Sequence, residues 1–378
     1  MKRIILRVVK LACLALALVL TIGVLQEFIL CHADHNRQRV KGFYLEEKDS
    51  LDLVLMGASE VYSDFAPGYA YAKSGVRSYL YSTQSNTILN YKSQLKNILS
   101  RQKPDVILIE LNGALYNDDT EVTKEANFRN YADNVPIPDK WEWMWQNNVP
   151  NKGEYLFPIV KYHSVWTDFP ENMKYQKTVW NDRQRGYNYL KGVLNETKIF
   201  QQTQRPMNDT LKDSANSKAP LTPLQEQGLR DLLSFCKSEN LTNVVFARFP
   251  HIVVKRTYSR FERGNTVGDI VREYGFDYLN YELNFEDTGL DLNRDFYNLD
   301  HLNVYGQQKF TGLLTEKLTK DYRLTAKEPS GSQKQEWQTC ADYYDAYYRY
   351  SDELIQKGEG KELSEDCDLI QTLQSYTK

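Results

Sequence analysis

A chain of 378 residues is long enough to bury a large core, and its net charge of −3, with basic residues scattered among acidic ones, leaves no stripe for tracking phosphates, so no nucleic acid partner is expected. Five cysteines (Cys13, Cys31, Cys236, Cys340 and Cys367) form neither a CxxC pair nor a His/Cys cluster at zinc spacing, so neither a metal nor another cofactor is expected. A Gly-rich phosphate loop with its lysine is also missing, which argues against a nucleotide enzyme.

The chain opens with Lys2, Arg3, Arg7 and Lys10, followed by an apolar run over 11–25 and a shorter one over 28–31. Together with Val8 and Val9 this approaches the ~20 residues that cross a bilayer, and the basic flank belongs on the cytoplasmic side. Residues 1–31 therefore read as a single-pass membrane anchor with the bulk of the chain extracytoplasmic. A cleaved signal peptide competes with this reading, but the small-x-small cleavage pattern is poor and Gln26 and Glu27 interrupt the end of the run. Cys31 follows Leu30 rather than a small residue, which disfavours a lipoprotein.

Residues 32–50 are polar and read as a juxtamembrane linker. Short apolar runs then alternate with helical spacing, the pattern of a parallel sheet with crossover helices. Strands are expected over 51–56, 76–81, 106–111, 243–248 and 278–283, with helices over 87–99, 222–238 and 304–318. Pro223 falls just inside the start of the 222–238 helix. Between about 114 and 220 the alternation is lost, and Trp141, Trp143, Trp145, Trp166 and Trp180 lie among Asn, Asp and Lys, which reads as a helical insertion or lid in a domain spanning 51–324. The three alternating tryptophans suit either the core of that lid or a sugar-stacking platform; tyrosine, at 27 residues, is abundant enough for either. A Tyr-rich helical tail fills 325–378, in which Cys340 and Cys367 are either a disulfide pair or two thiols.

The chemistry concentrates in two places. At the first, the strand Leu53-Val54-Leu55-Met56 ends in Gly57-Ala58-Ser59, and a small-residue turn at the carboxyl end of a parallel strand offers a hydroxyl to the ligand crevice. Ser59 is thus a candidate nucleophile, the alternative being a simple strand-to-helix turn with Ser59 as cap. At the second, Asn298-Leu299-Asp300-His301-Leu302-Asn303 and Gly306 form a polar loop before the last helix, and His301 is a base for the serine.

This pair of motifs resembles the SGNH (GDSL-like) hydrolases, and more narrowly their membrane-anchored extracytoplasmic subgroup of Gram-positive bacteria, which includes D-alanyl transfer proteins of teichoic acid and partners of membrane-bound O-acyltransferases. The resemblance covers roughly residues 51–111 and 243–318 and implies a three-layer α/β domain of flavodoxin-like strand order. It implies ester hydrolysis or acyl transfer on a cell-envelope glycan or teichoic acid through an acyl-Ser59 intermediate, with His301 as general base. The orienting acid of the family falls at Asn298, a departure from the pattern; Asp300 or Asp295 is the candidate substitute, or the site works as a dyad. Oxyanion donors by resemblance are the backbone N–H groups of Ser59 and Ser82 and the side chain of Gln84. Asn112 lies one or two residues before the family's asparagine and reads equally as a strand-end cap. Arg248 and His251, on the same rim, suit an anionic group of the substrate or a satisfied place in the core. A non-catalytic scaffold docked on an O-acyltransferase is the rival reading, kept open by Asn298. Two glycosylation sequons begin at Asn195 and Asn208, a common chance pattern.

Overall fold

The computed structural model describes residues 2–29, 35–162, 164, 167, 170, 190–360 and 369–376. Cys31, His163, Trp166, Trp180 and Cys367 lie outside them, so the disulfide expectation for Cys340 and Cys367 does too. The chain begins with helix α1 (Lys2–Ile29), which among the described residues is the one helix long and apolar enough to cross a bilayer, with its leucines and valines exposed. At 1.5 Å per residue it is about 42 Å long, more than the ~30 Å of a hydrocarbon core.

Five parallel strands, β1 (Leu53–Gly57), β2 (Ser78–Ser82), β3 (Val106–Glu110), β4 (Val244–Arg248) and β5 (Tyr278–Asn280), form one sheet in the order β2-β1-β3-β4-β5. Each lies within or beside the apolar run that announced it, because strands covered on both faces need continuous apolar residues. β1 and β2 start two residues later than the runs suggest. Asp52 and Arg77, just before the two strands, form a buried ion pair of 2.8 Å, and their backbones bond across to each other, Asp52 N–H donating to the Arg77 carbonyl at 2.8 Å and Arg77 N–H to Asp52 Oδ2 at 3.0 Å.

Alternate strand residues feed two cores. Leu53, Leu55, Leu80, Leu108 and Ala247 point to one face and Val54, Met56, Tyr81, Ile109 and Phe246 to the other. The first face is covered by α3 (Ser59–Asp64), α4 (Pro67–Ser74), α13 (Val304–Tyr322) and α14 (Gly331–Lys357), to which α15 (Leu369–Tyr376) adds Leu373. Gly68 is required where α4 meets α14, since a Cβ there would stand 2.5 Å from Cβ of Tyr344. The second face is covered by α2 (His35–Phe43), α5 (Ile88–Arg101), α11 (Pro223–Ser238) and α12 (Tyr258–Glu273). Thr222 and Gln225 form a reciprocal cap at the start of α11, with Pro223 in its first turn. The polar stretch after the anchor is thus not all linker: α2 buries Val40 and Phe43, and Phe43 stacks on Tyr81 at 4.3 Å.

Among the described residues, the stretch that follows β3 holds the short helices α6 (Asp119–Val122), α7 (Glu125–Ala132), α8 (Ile137–Gln146), α9 (Lys152–Leu156) and α10 (Pro158–Lys161). Trp143 is their buried centre, donating Nε1–H to Asn90 at 2.8 Å, while Trp141 and Trp145 are exposed with ring centroids 6.0 Å apart. The returning segment from residue 190 is stapled to the rest by Lys191, fully buried between Glu46 at 2.8 Å and Glu336 at 2.7 Å. Both sequon asparagines are buried, Asn195 beside Ser351 and Asn208 against the carbonyl of His251, which removes them as glycan acceptors in the folded chain.

Candidate active site

β1 ends at Gly57 because nothing larger fits there: a Cβ would lie 2.8 Å from Val61 and 3.0 Å from Cβ of Glu110. The tight exit turns the chain into α3, so that Ser59 opens the helix, half-buried, at the carboxyl end of the sheet. The N–H groups of a first helical turn, that of Ser59 among them, have no acceptor within the helix.

His301 reaches this point from the other end of the domain. Its loop is a small closed structure in which Phe296 bridges Leu302, Tyr297 N–H donates to the carbonyl of His301 at 2.9 Å, and the side chain of Asn303 caps α13 through Tyr305 and Gly306. Gly306 is obligatory, as a Cβ would meet the carbonyl oxygen of Asp295 at 2.2 Å. Leu302 N–H donates to Asp64 Oδ1 at 2.9 Å, which ties the loop to the end of the helix that Ser59 begins. The result is a separation of 2.8 Å between Ser59 Oγ and His301 Nε2, hydrogen-bond distance for a nucleophile and base.

The orienting position is held by Asn298. Its Oδ1 accepts from the N–H groups of Asp300 at 2.7 Å and His301 at 2.9 Å, and its Nδ2 stands 3.1 Å from His301 Nδ1. Neither proposed substitute touches the ring. Asp300 pairs with Arg260, and Asp295 is bound to Lys309 at 2.6 Å and to the N–H of Asp291. Burial holds the His301 imidazole below its ordinary range against the opposing charges of Glu60 and Asp300, so the ring is neutral at neutral pH.

The oxyanion candidates are gathered less completely. Ser82 lies in register with Gly57, so it shares the rim of the crevice, but its hydroxyl is buried without a partner. Gln84 has an exposed side chain, while its backbone is held by Asn36 and Asn130. Asn112 is no strand-end cap: its Nδ2 donates to Glu60 and its Oδ1 accepts from Arg248 at 2.8 Å.

Behind the serine lies a network that the sequence reading did not anticipate. Glu60, the residue after Ser59, puts Oε2 at 3.4 Å from Ser59 Oγ and Oε1 at 3.3 Å from His251 Nε2. Arg248 joins Glu110 at 3.3 Å to Glu282 at 2.8 Å, and all of these side chains are buried. Arg248 and His251 are therefore engaged by carboxylates and fully buried, away from an anionic substrate group. Burial works against the Glu60 carboxylate, but the hydrogen bond from His251 and the charges of His251, His301 and Arg248 prevail and bring it down to about 2. Glu110 goes the other way, pushed up to about 8 by burial and by its neighbour Glu60 despite Arg248. Burial also raises Asp64 well above the usual range in spite of the Leu302 N–H, and its Oδ2 has no partner.

These opposed shifts give a pH test. Glu110 and Asp64 keep protons in the folded chain that the unfolded chain releases above about pH 4, so their contribution is complete below that range and is lost as pH climbs toward 8. Glu60 contributes above the unfolded range and its share is lost only as pH falls toward 2. The melting temperature is expected to fall between pH 5 and pH 8, and to fall less in Glu110→Gln. Parallel curves for the two proteins would show that Glu110 is ionised in the fold.

Comparison of the chain with protein-family models and with curated proteins finds no match.

Proposed function

We propose that the chain is a membrane-anchored, extracytoplasmic serine esterase or O-acyltransferase of the SGNH type, acting on acyl esters of a cell-envelope glycan or teichoic acid. The observation that carries this reading is the 2.8 Å approach of Ser59 Oγ to His301 Nε2 across 242 residues of sequence. The strand order 2-1-3-4-5 is that of flavodoxin-like doubly wound sheets, whose ligand crevice lies at the carboxyl ends of the strands, where both residues stand. In the reaction, which requires His301 with Nε2 unprotonated, Ser59 Oγ bonds to the acyl carbon as its proton passes to Nε2, and the ester C–O bond breaks as that proton reaches the leaving oxygen. Water or a glycan hydroxyl then attacks the acyl-serine with the same base, giving hydrolysis or transfer.

The anchor supports a substrate near the membrane. Lys2, Arg3, Arg7 and Lys10 favour a cytoplasmic start and an outward-facing domain. Gln26 near the far end of α1 accepts a hydrogen bond from Ile159 N–H at 3.2 Å, and α2, six residues beyond Ile29, begins at the rim, where Asn36 Oδ1 holds Gln84 N–H at 2.7 Å. Six residues span at most about 20 Å, so the crevice lies close to the bilayer surface.

One observation favours the second reading, a non-catalytic partner of a membrane-bound O-acyltransferase: an amide, not a carboxylate, faces His301 Nδ1. Turnover of p-nitrophenyl acetate separates the two. A slow rate in the full chain that disappears in Ser59→Ala and falls modestly in His301→Ala is expected; equal background rates from all three proteins would favour the scaffold.

A further inference from the structure

We propose that Asn298 is a positioning residue that locks His301 in the Nε2–H tautomer, so that the ring donates to Ser59 instead of accepting its proton. This rests on the reading of Ser59 as a nucleophile. The amide orientation is not free: Oδ1 must face the N–H groups of Asp300 and His301, which both point at it, at 2.7 and 2.9 Å. Nδ2, a donor with no acceptor capacity, is then the group 3.1 Å from His301 Nδ1. A neutral imidazole satisfies it only by presenting the Nδ1 lone pair, which places the ring proton on Nε2.

That proton lies toward Ser59 Oγ at 2.8 Å. The serine hydroxyl must then donate elsewhere, and the acceptor on offer is Glu60 Oε2 at 3.4 Å. Glu60 already receives Asn112 and His251 on Oε1, and with its carboxylate brought down to about 2 by those neighbours it is a poor base for an alcohol proton. The other tautomer would set two N–H groups against each other, and turning the amide to avoid this would abandon two backbone donors. The remaining charged groups that face the ring, Asp300, Arg260 and His251, offer no alternative base, because Asp300 is paired with Arg260 and His251 is held by Glu60 and by the carbonyl of Phe249 at 2.8 Å. The structure thus assembles a nucleophile and its base while withholding the proton acceptor, which keeps turnover low.

Asn298→Asp reverses the lock without changing shape. The new carboxylate accepts the same two backbone N–H groups and also the Nδ1–H of the ring. Nε2 is then free to take the Ser59 proton as Oγ bonds to the attacked centre, and the imidazolium formed is paired with the new carboxylate. In the serine protease triad the opposite change, Asp to Asn at the orienting position, costs about 10⁴-fold, so a rise of about 10²–10⁴-fold in Ser59 acylation is expected here.

The test uses the full chain in detergent with histidine ring nitrogens labelled, the His301 signal being assigned by its loss in His301→Gln. Two-bond proton–nitrogen spectra are expected to show Nε2–H for His301 in the wild type and Nδ1–H in Asn298→Asp, together with a faster reaction of Ser59 with a fluorophosphonate. Nδ1–H in the wild type, a measurement that needs no variant at this position, would overturn the lock and leave Ser59 untouched. A switched tautomer with no gain in Ser59 labelling would overturn the nucleophile reading instead.

Discussion

Exchanging Arg248 for alanine is expected to destabilise the domain by about 3–5 kcal/mol, the range found when one partner of a buried ion pair is removed. The guanidinium is fully buried and holds Glu110, Glu282 and the carbonyl oxygen of the Asn112 side chain. Without it the carboxylates of Glu282 and Glu60 would have only His251 to offset them, and the protonated side chain of Glu110 would lose its buried partner. A domain with a typical ~5–15 kcal/mol of stability loses much of its margin by such a change. Urea denaturation measures it directly. A loss under about 1 kcal/mol would show that water reaches the cluster and screens it as it does surface pairs. Lysine should rescue only in part, because a single ammonium cannot bridge two carboxylates and an amide as the planar fork does.

Removing His301 should have its largest effect where Asn298 has been replaced. In the Asn298→Asp background, His301→Ala is expected to slow fluorophosphonate acylation of Ser59 by about 10²–10⁴-fold, the usual worth of a positioned general base. In the background of the natural asparagine the same substitution should cost much less, since the ring there donates to the serine at 2.8 Å rather than accepting from it. Such coupling is the mark of residues that act as one unit. Independent effects in the two backgrounds would mean that Asn298 and His301 do not share a function.

Strands β1 to β4 were legible because each is buried on both faces and reads as a short apolar run, and the two motifs were legible because small residues and polar loops mark the strand ends. Boundaries were less so: the ion pair of Asp52 with Arg77 sits inside the apolar runs and delays both strands. What stayed hidden is the network behind Ser59. Glu60, Glu110, Arg248, His251 and Glu282 come from four separate stretches of chain, and none taken alone announces the others. Only their convergence in the buried crevice gives them meaning. Asp64 was hidden for the same reason, since its partner, Leu302 N–H, lies 238 residues away. The helix His35–Phe43 reads as linker because Val40 and Phe43 are among the few apolar residues in a polar stretch, and burial against Tyr79 and Tyr81 decides its structure.

Everything functional depends on the hydroxyl of Ser59 being a reactive nucleophile at the mouth of this crevice. Prolonged exposure of the full chain to a fluorophosphonate, followed by peptide mass spectrometry, puts that to the test. One adduct is expected, on Ser59, gained faster in Asn298→Asp. Labelling that persists unchanged in Ser59→Ala, or a Ser59 that stays unmodified in both proteins, would contradict the account.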